Sequence, residues 1–208
     1  RDTEDMQKFG GMEELDVSYT KTTLSDLVKK RAGWLVVLFL GELLTASAMG
    51  HYDDEIAKAV VLALFVPLII SSGGNSGSQA ASLIIRAMAL KELQLRDWWY
   101  VMKKEFVSGL LLGGILGLLG FIRIVIWQEA GIYDYGPYWL WVALSVSTSL
   151  LFIVSWGTLS GSLIPFLLRK MKLDPAAASA PFVATLVDVT GLIIYFSVSA
   201  LFLAGKLL

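Results

Sequence analysis

Asp188 lies in the middle of an apolar run, residues 181–203, long enough to cross a membrane. A carboxylate in hydrocarbon costs roughly 2.5–3.5 kcal/mol on insertion scales, so it needs a partner, an ion or water. At helical spacing, Pro181, Ala184, Thr185, Asp188, Gly191 and Tyr195 share one face. That stripe is small and polar, whereas Phe182, Leu186, Val189 and Ile193 make the opposite face bulky and apolar. Small neighbours leave room beside the carboxylate for something as wide as a hydrated ion. The other reading is an Asp that pins one helix to the next by a hydrogen bond.

A second group follows Pro67, in the run Ser71-Ser-Gly-Gly-Asn-Ser-Gly-Ser-Gln79. Pro67 can kink a helix, and the glycines allow either unwinding or close helix approach. Unwound backbone at this depth needs cover from protein or from a water-filled cavity. Freed carbonyls with the Asn75 and Gln79 amides would suit water or a cation. Glu42, in the middle of the first apolar run, is either a second ion or proton site or a structural group; the latter, bonded to a Ser or Thr of the fourth span, is the expectation. His51 with Asp53, Asp54 and Glu55 forms an acidic turn, expected to be solvated. Ser160 in Gly157-Thr-Leu-Ser-Gly161 has no base within reach, so serine-protease chemistry is excluded and no enzyme is expected.

These residues need membrane helices to position them. Of the 208 residues 56% are hydrophobic and 17% charged, with mean hydropathy +0.67, which fits a membrane protein rather than a soluble domain. The absence of cysteine removes disulfides and thiolate chemistry. The expected class is an all-α membrane protein with five transmembrane helices at about 32–50, 56–90, 106–127, 138–168 and 181–203. The second and fourth exceed one bilayer and should tilt, break or project. Gly109, Gly113 and Gly117 mark a packing face in the third. The hydroxyls from Ser145 to Ser162 read as hydrogen-bonding glue between helices. Arg123 is expected to snorkel to the interface.

Lysines and arginines collect before span 1, between spans 2 and 3, and between spans 4 and 5, while the alternate loops are acidic. The N-terminus is therefore expected in the cytoplasm and the C-terminus outside. Residues 1–31 read as a separate cytosolic unit and 32–208 as the membrane unit. Gly10-Gly11 should end a first helix, and Thr23-Leu-Ser-Asp should cap a second that leads into span 1. A start at Arg1 suggests a piece of a longer polypeptide.

Taken together, the leader around Glu-Asp-Met-Gln-Lys-Phe-Gly-Gly-Met-Glu-Glu-Leu-Asp16, Gly-Glu-Leu-Leu-Thr45, the Gly-Gly-Asn-x-Gly-x-Gln79 element and Ala-Thr-Leu-Val-Asp188-Val-Thr-Gly191 resemble the MgtE family of magnesium channels. The resemblance covers essentially the whole chain. It implies a homodimer with one pore on its twofold axis, lined by spans 2 and 5, in a multi-pass cell-membrane protein. It implies Mg²⁺ as the transported ion, held by Asp188 of both subunits with Ala184, Thr185 and Gly191 around it, and Pro67, Ser71, Asn75 and Pro181 along the pore. It further implies that residues 1–31 are a plug helix and that the cytosolic regulatory domains of the same polypeptide are missing here. Asp5, Glu13, Glu14, Asp16 and Asp174 are candidates for a regulatory Mg²⁺ that holds the leader in place. The expected partners are a second copy, the lipid bilayer, Mg²⁺ and other divalent cations, with no nucleic acid. A proton- or Na⁺-coupled divalent-cation transporter is the alternative.

Overall fold

The computed structural model describes residues 2–178 and 180–208. Its helices are α1 (Asp2–Phe9), α2 (Leu24–His51), α3 (Asp53–Lys58), α4 (Val60–Ala63), α5 (Val66–Ala89), α6 (Trp98–Glu129), α7 (Trp139–Lys170) and α8 (Ala180–Leu203), with no strand among the described residues. Five segments are long and apolar enough to cross a membrane: Leu24–His51, Val60–Ala89, Leu95–Glu129, Trp139–Lys170 and Ala180–Leu203. All five expected spans are therefore present. The first continues without a break from the helix capped at Thr23, as expected: Thr23 Oγ1 accepts a hydrogen bond from the Asp26 N–H at 3.3 Å. A boundary at residue 31 falls inside α2.

The two over-long spans behave differently. The second breaks into α3, α4 and α5, while the fourth runs unbroken as α7. The break lies before Pro67, which sits in the first turn of α5, where its missing N–H costs nothing. Residues 71–79 are continuous helix, so of the two readings of the glycines, unwinding or close approach, close approach is the one observed. Tyr195 crosses to the break, its hydroxyl donating to the Leu62 carbonyl at 2.7 Å, and is fully buried. Tyr195→Phe should lower stability by about 1 kcal/mol. Thermal unfolding in detergent measures this, and an unchanged midpoint would mean that the bond contributes nothing.

α7 is the central helix, buried along most of its length against α5, α6 and α8. Glycines set two of its seams. On the α6 side, a Cβ at Gly113 would lie 2.9 Å from Leu151 Cα, and one at Gly109 2.7 Å from Ser155 Cα. On the α5 side, a Cβ at Gly157 would lie 2.6 Å from the Gly73 carbonyl oxygen. Such backbone-to-backbone approach suits association in lipid, where dispersion contact replaces the hydrophobic effect. The α7 hydroxyls mostly do not bridge helices. Ser145, Ser155 and Ser160 donate to carbonyls four residues back at 2.8, 2.7 and 2.7 Å. Helical carbonyls are nearer than any neighbour, so the local bond wins. Between helices, Ser76 reaches the Val154 carbonyl at 3.0 Å, and Thr158 reaches that of Glu105 at 3.3 Å.

α2 is the outlier. It has no buried residue, and within the bundle it packs chiefly on α8. Leu35, Val36, Val37, Phe39, Leu40, Leu43 and Leu44 are exposed. Apolar surface of this extent needs lipid or another chain against it. Arg123 lies 3.7 Å from the Trp127 ring centroid, a cation–π pairing near the end of α6.

Candidate ion-binding site

α8 carries Asp188 between two other helices. Ala184, one turn earlier, meets α5, where a Cβ on Gly74 would lie 3.3 Å from its own Cβ. Thr185 meets α2, where a Cβ on Gly41 would lie 2.8 Å from Thr185 Cγ2. Asp188 is neither fully buried nor fully exposed. The turn 184–188 thus sits in a crevice with α5 on one side and α2 on the other. Along α5, Gly73, Gly74, Ser76 and Gly77 turn into the bundle, while Pro67, Ser71, Asn75 and Gln79, four residues apart, are exposed. In this exposed row the Asn75 amide donates to Ser71 Oγ at 3.5 Å.

The stripe on α8 divides. Gly191 turns inward, with Ile153 of α7 at 3.9 Å from a Cβ placed on it, and Tyr195 is buried at the helix break. Ala184, Thr185 and Asp188 remain accessible. Pro181 lies against the leader: Gly11, with φ +80°, is so close that a Cβ would be 3.1 Å from Pro181 Cγ. Only glycine combines that left-handed backbone with that contact. Thr190, next along, accepts a hydrogen bond from Trp156 Nε1 at 2.8 Å.

Sequence reasoning missed the partner of Glu42. Its carboxyl lies beside that of Asp188 on α8. Two carboxyl groups this close attract a cation or share a proton. A signal existed, since Glu42 and Asp188 are the two acids set deepest in apolar runs, and such groups tend to meet.

The leader folds back under α5 and α8. α1 ends at Phe9, before Gly10-Gly11 as expected, and Phe9 packs on the cluster of Ala81, Val183 and Val187. The leader acids are divided between two lysines. Lys8 Nζ lies 3.2 Å from Asp174 and 4.0 Å from Glu14, and Lys30 Nζ lies 3.9 Å from Glu13 and 3.6 Å from Asp16. Asp5 lines a cleft with Lys8 and Asp174. Among the described residues, no three His, Cys, Asp or Glu side chains gather to hold a metal ion, the acidic turn after His51 included. The hydrogen bond to Asp174, joined by the surrounding acids, raises the Lys8 ammonium above its ordinary value. A raised lysine stabilises the fold below its ordinary value of 10.5 and loses that effect as pH climbs past the raised value, so the tether is intact at neutral pH. Lys8→Gln should speed proteolytic cleavage of the leader several-fold while the bundle's unfolding midpoint stays put, because exposed pairs contribute little to global stability. Equal cleavage rates in limited proteolysis would remove Lys8 as the tether.

A five-span helical bundle with apolar outer surface and a carboxylate in a crevice defines a multi-pass membrane protein. The sequence model of the MgtE family, described as divalent cation transporters, matches residues 66–198, and the chain belongs to that family. The magnesium transporter MgtE of Thermus thermophilus is 42% identical over 201 residues, 97% of this chain and 42% of its own length. Those of Enterococcus faecalis and Bacillus subtilis are each 30% identical, over 97% and 96% of this chain and 43% and 42% of their own lengths. The chain thus spans less than half the length of these curated relatives.

Proposed function

We propose that this chain is the membrane-spanning part of a Mg²⁺ channel that admits Mg²⁺ to the cytosol through a pore on the twofold axis of a homodimer. The observation that carries the reading is the partly accessible Asp188 carboxylate on α8, with Ala184 and Thr185 one turn earlier touching glycines of α5 and α2. Asp188 of each subunit would hold the ion, with Ala184 and Thr185 beside it and Ser71 and Asn75 along the path; Gly191 keeps α8 close to α7. Mg²⁺ demands octahedral oxygen ligands and dehydrates reluctantly, so a roomy site that holds the hydrated ion through its waters is the cheaper route. Two carboxylates across a twofold axis repel each other, and a divalent cation between them removes that repulsion better than a monovalent one. A single site of this kind also lets the ion leave, as conduction requires.

The basic loops would face the cytosol, and the leader would sit there as a plug beneath α5 and α8. Mg²⁺ could compete with Lys8 and Lys30 for Asp174, Glu14, Glu13 and Asp16, tying the leader down when the cation is abundant. The remainder of the relatives' length would supply the regulatory domain. The experiment is flux into liposomes loaded with a Mg²⁺ indicator, with the Mg²⁺ and proton gradients varied separately. A channel gives Mg²⁺ entry that follows the Mg²⁺ gradient and voltage alone. Entry that requires a proton gradient would instead make the Glu42–Asp188 pair a proton carrier in a coupled transporter.

A further inference from the structure

The outer face of the bundle carries a groove of about 600 Å³ where α6 and α8 flank α7. Met102 and Phe106 of α6, Leu159, Leu163 and Leu167 of α7, and Leu186 of α8 make its walls apolar. The polar groups within it are already engaged. Ser160 Oγ donates to the Trp156 carbonyl at 2.7 Å, and Trp156 Nε1 donates to Thr190 Oγ1 at 2.8 Å. A polar ligand would leave its own groups unbonded against these walls, so the groove suits an occupant that is apolar along most of its length.

The two ends of the groove identify that occupant further. At the basic-loop end its rim holds Trp99 and Lys103, both in the first two turns of α6. No acid lines the groove, and among the described residues Lys103 has neither an ion-pair nor a ring partner. A tryptophan at a helix end marks the level of the headgroups. The other end is Trp156, in the middle of α7. Leu167 and Trp156 are eleven residues apart, about 16 Å along a helix. That is close to half of the ~30 Å hydrocarbon core, the depth of one leaflet. The groove therefore places a lone cation at phosphate level and apolar walls beneath it, over the depth that an acyl chain occupies. The exposed Leu111, Ile115 and Leu119 of α6 lie outside it and need only mobile lipid against them.

We propose that this groove seats one acyl chain of a phospholipid from the leaflet on the basic-loop side, with the lipid phosphate on Lys103. The site needs only that the bundle lies in a bilayer, and it stands apart from the conduction reading at Asp188. It does touch the same helix: Leu186 in its wall precedes Asp188 by two residues, and Trp156 at its floor holds Thr190, two residues beyond.

The test counts phosphatidylglycerol retained by the full chain, using mass spectrometry of the intact protein after mild extraction from phosphatidylglycerol vesicles. The wild type should keep bound lipid. Leu163→Trp fills the groove and should lose most of it, whereas Leu111→Trp, the same change on the exposed face of α6, should retain the wild-type amount. Lys103→Gln removes one exposed charge without touching the packing, and it should weaken retention about fivefold. Wild-type retention no greater than that of Leu163→Trp would overturn the seat, and undiminished retention in Lys103→Gln would overturn the phosphate contact. If Leu163→Trp instead turned a wild-type dimer into a monomer on size exclusion with light scattering, the groove would be the seat of a second copy and the lipid assignment would be wrong.

Discussion

Asp188→Ala should reduce Mg²⁺ flux by at least about tenfold, since loss of a hydrogen bond to a charged group costs roughly 1.5–3 kcal/mol and the proposed twofold pore would lose it twice. Asp188→Asn separates charge from shape. It keeps two polar atoms in the crevice between α2 and α5 but removes the repulsion that a divalent cation relieves. Its Mg²⁺ flux should fall and its preference over Na⁺ should fall with it. Both are measured in liposomes with competing ions, beside a thermal-unfolding control. The bundle should tolerate either change, because Asp188 is only partly buried and its recorded partner, Glu42, sits on the loosely packed α2. If flux and ion competition matched the wild type in both variants, the ion would not pass Asp188 and the pore assignment would be wrong.

The second large effect lies away from the ion. Gly157→Ala places a Cβ 2.6 Å from the Gly73 carbonyl oxygen, and Gly73 and Gly157 are both in helix interiors. Neither atom is the end of a flexible side chain, so no rotamer change relieves the clash and α5 must move off α7. Overpacking of this kind costs typically about 1–3 kcal/mol. Gly161→Ala, one turn along and against Gly77, adds the same problem. The double variant should unfold at a clearly lower temperature. It should also lose flux, since Gly74, on the same α5 turn as Gly73, sets the contact with Ala184 beside Asp188. Gly114→Ala is the control. Nothing lies within 4 Å of its Cβ position, so it should be neutral or slightly stabilising through better helix propensity. Equal midpoints for the Gly157 and Gly114 variants would remove backbone contact as the basis of the α5–α7 seam.

Much of this arrangement was legible in the sequence because lipid imposes simple rules. Length and hydropathy located all five spans, and the four-residue spacing of Gly109, Gly113 and Gly117 correctly marked a packing face. Asp188 stood out because carboxylates rarely sit in hydrocarbon. What the sequence hid were choices between competing partners. The hydroxyls of α7 could bond across helices or to their own backbone, and the nearby carbonyl won at Ser145, Ser155 and Ser160. Residues 71–79 could unwind or pack. Gly73 and Gly77 settle on the backbone of α7, which keeps the helix intact, and the break moves to the stretch before Pro67. Glu42 could face several helices, and only the crossing of α2 over α8 at Gly41 decides for Asp188. Lys8 was unreadable as a tether, because its partner is 166 residues away in sequence.

The bareness of α2 has a mechanical consequence for the crevice. Its α5 wall is stiff, since main chain touches main chain along the seam with α7 and leaves no slack. Its α2 wall is more compliant, held by the glycine contact at Gly41, the carboxyl pair and the partly buried Ala48 and Met49 near its end, with no fully buried residue to anchor it. The aperture beside Asp188 is then a spring with one fixed jaw. Forces that act on α2 from outside, such as bilayer thickness, lateral pressure or tension from the leader, would set how wide that jaw stands.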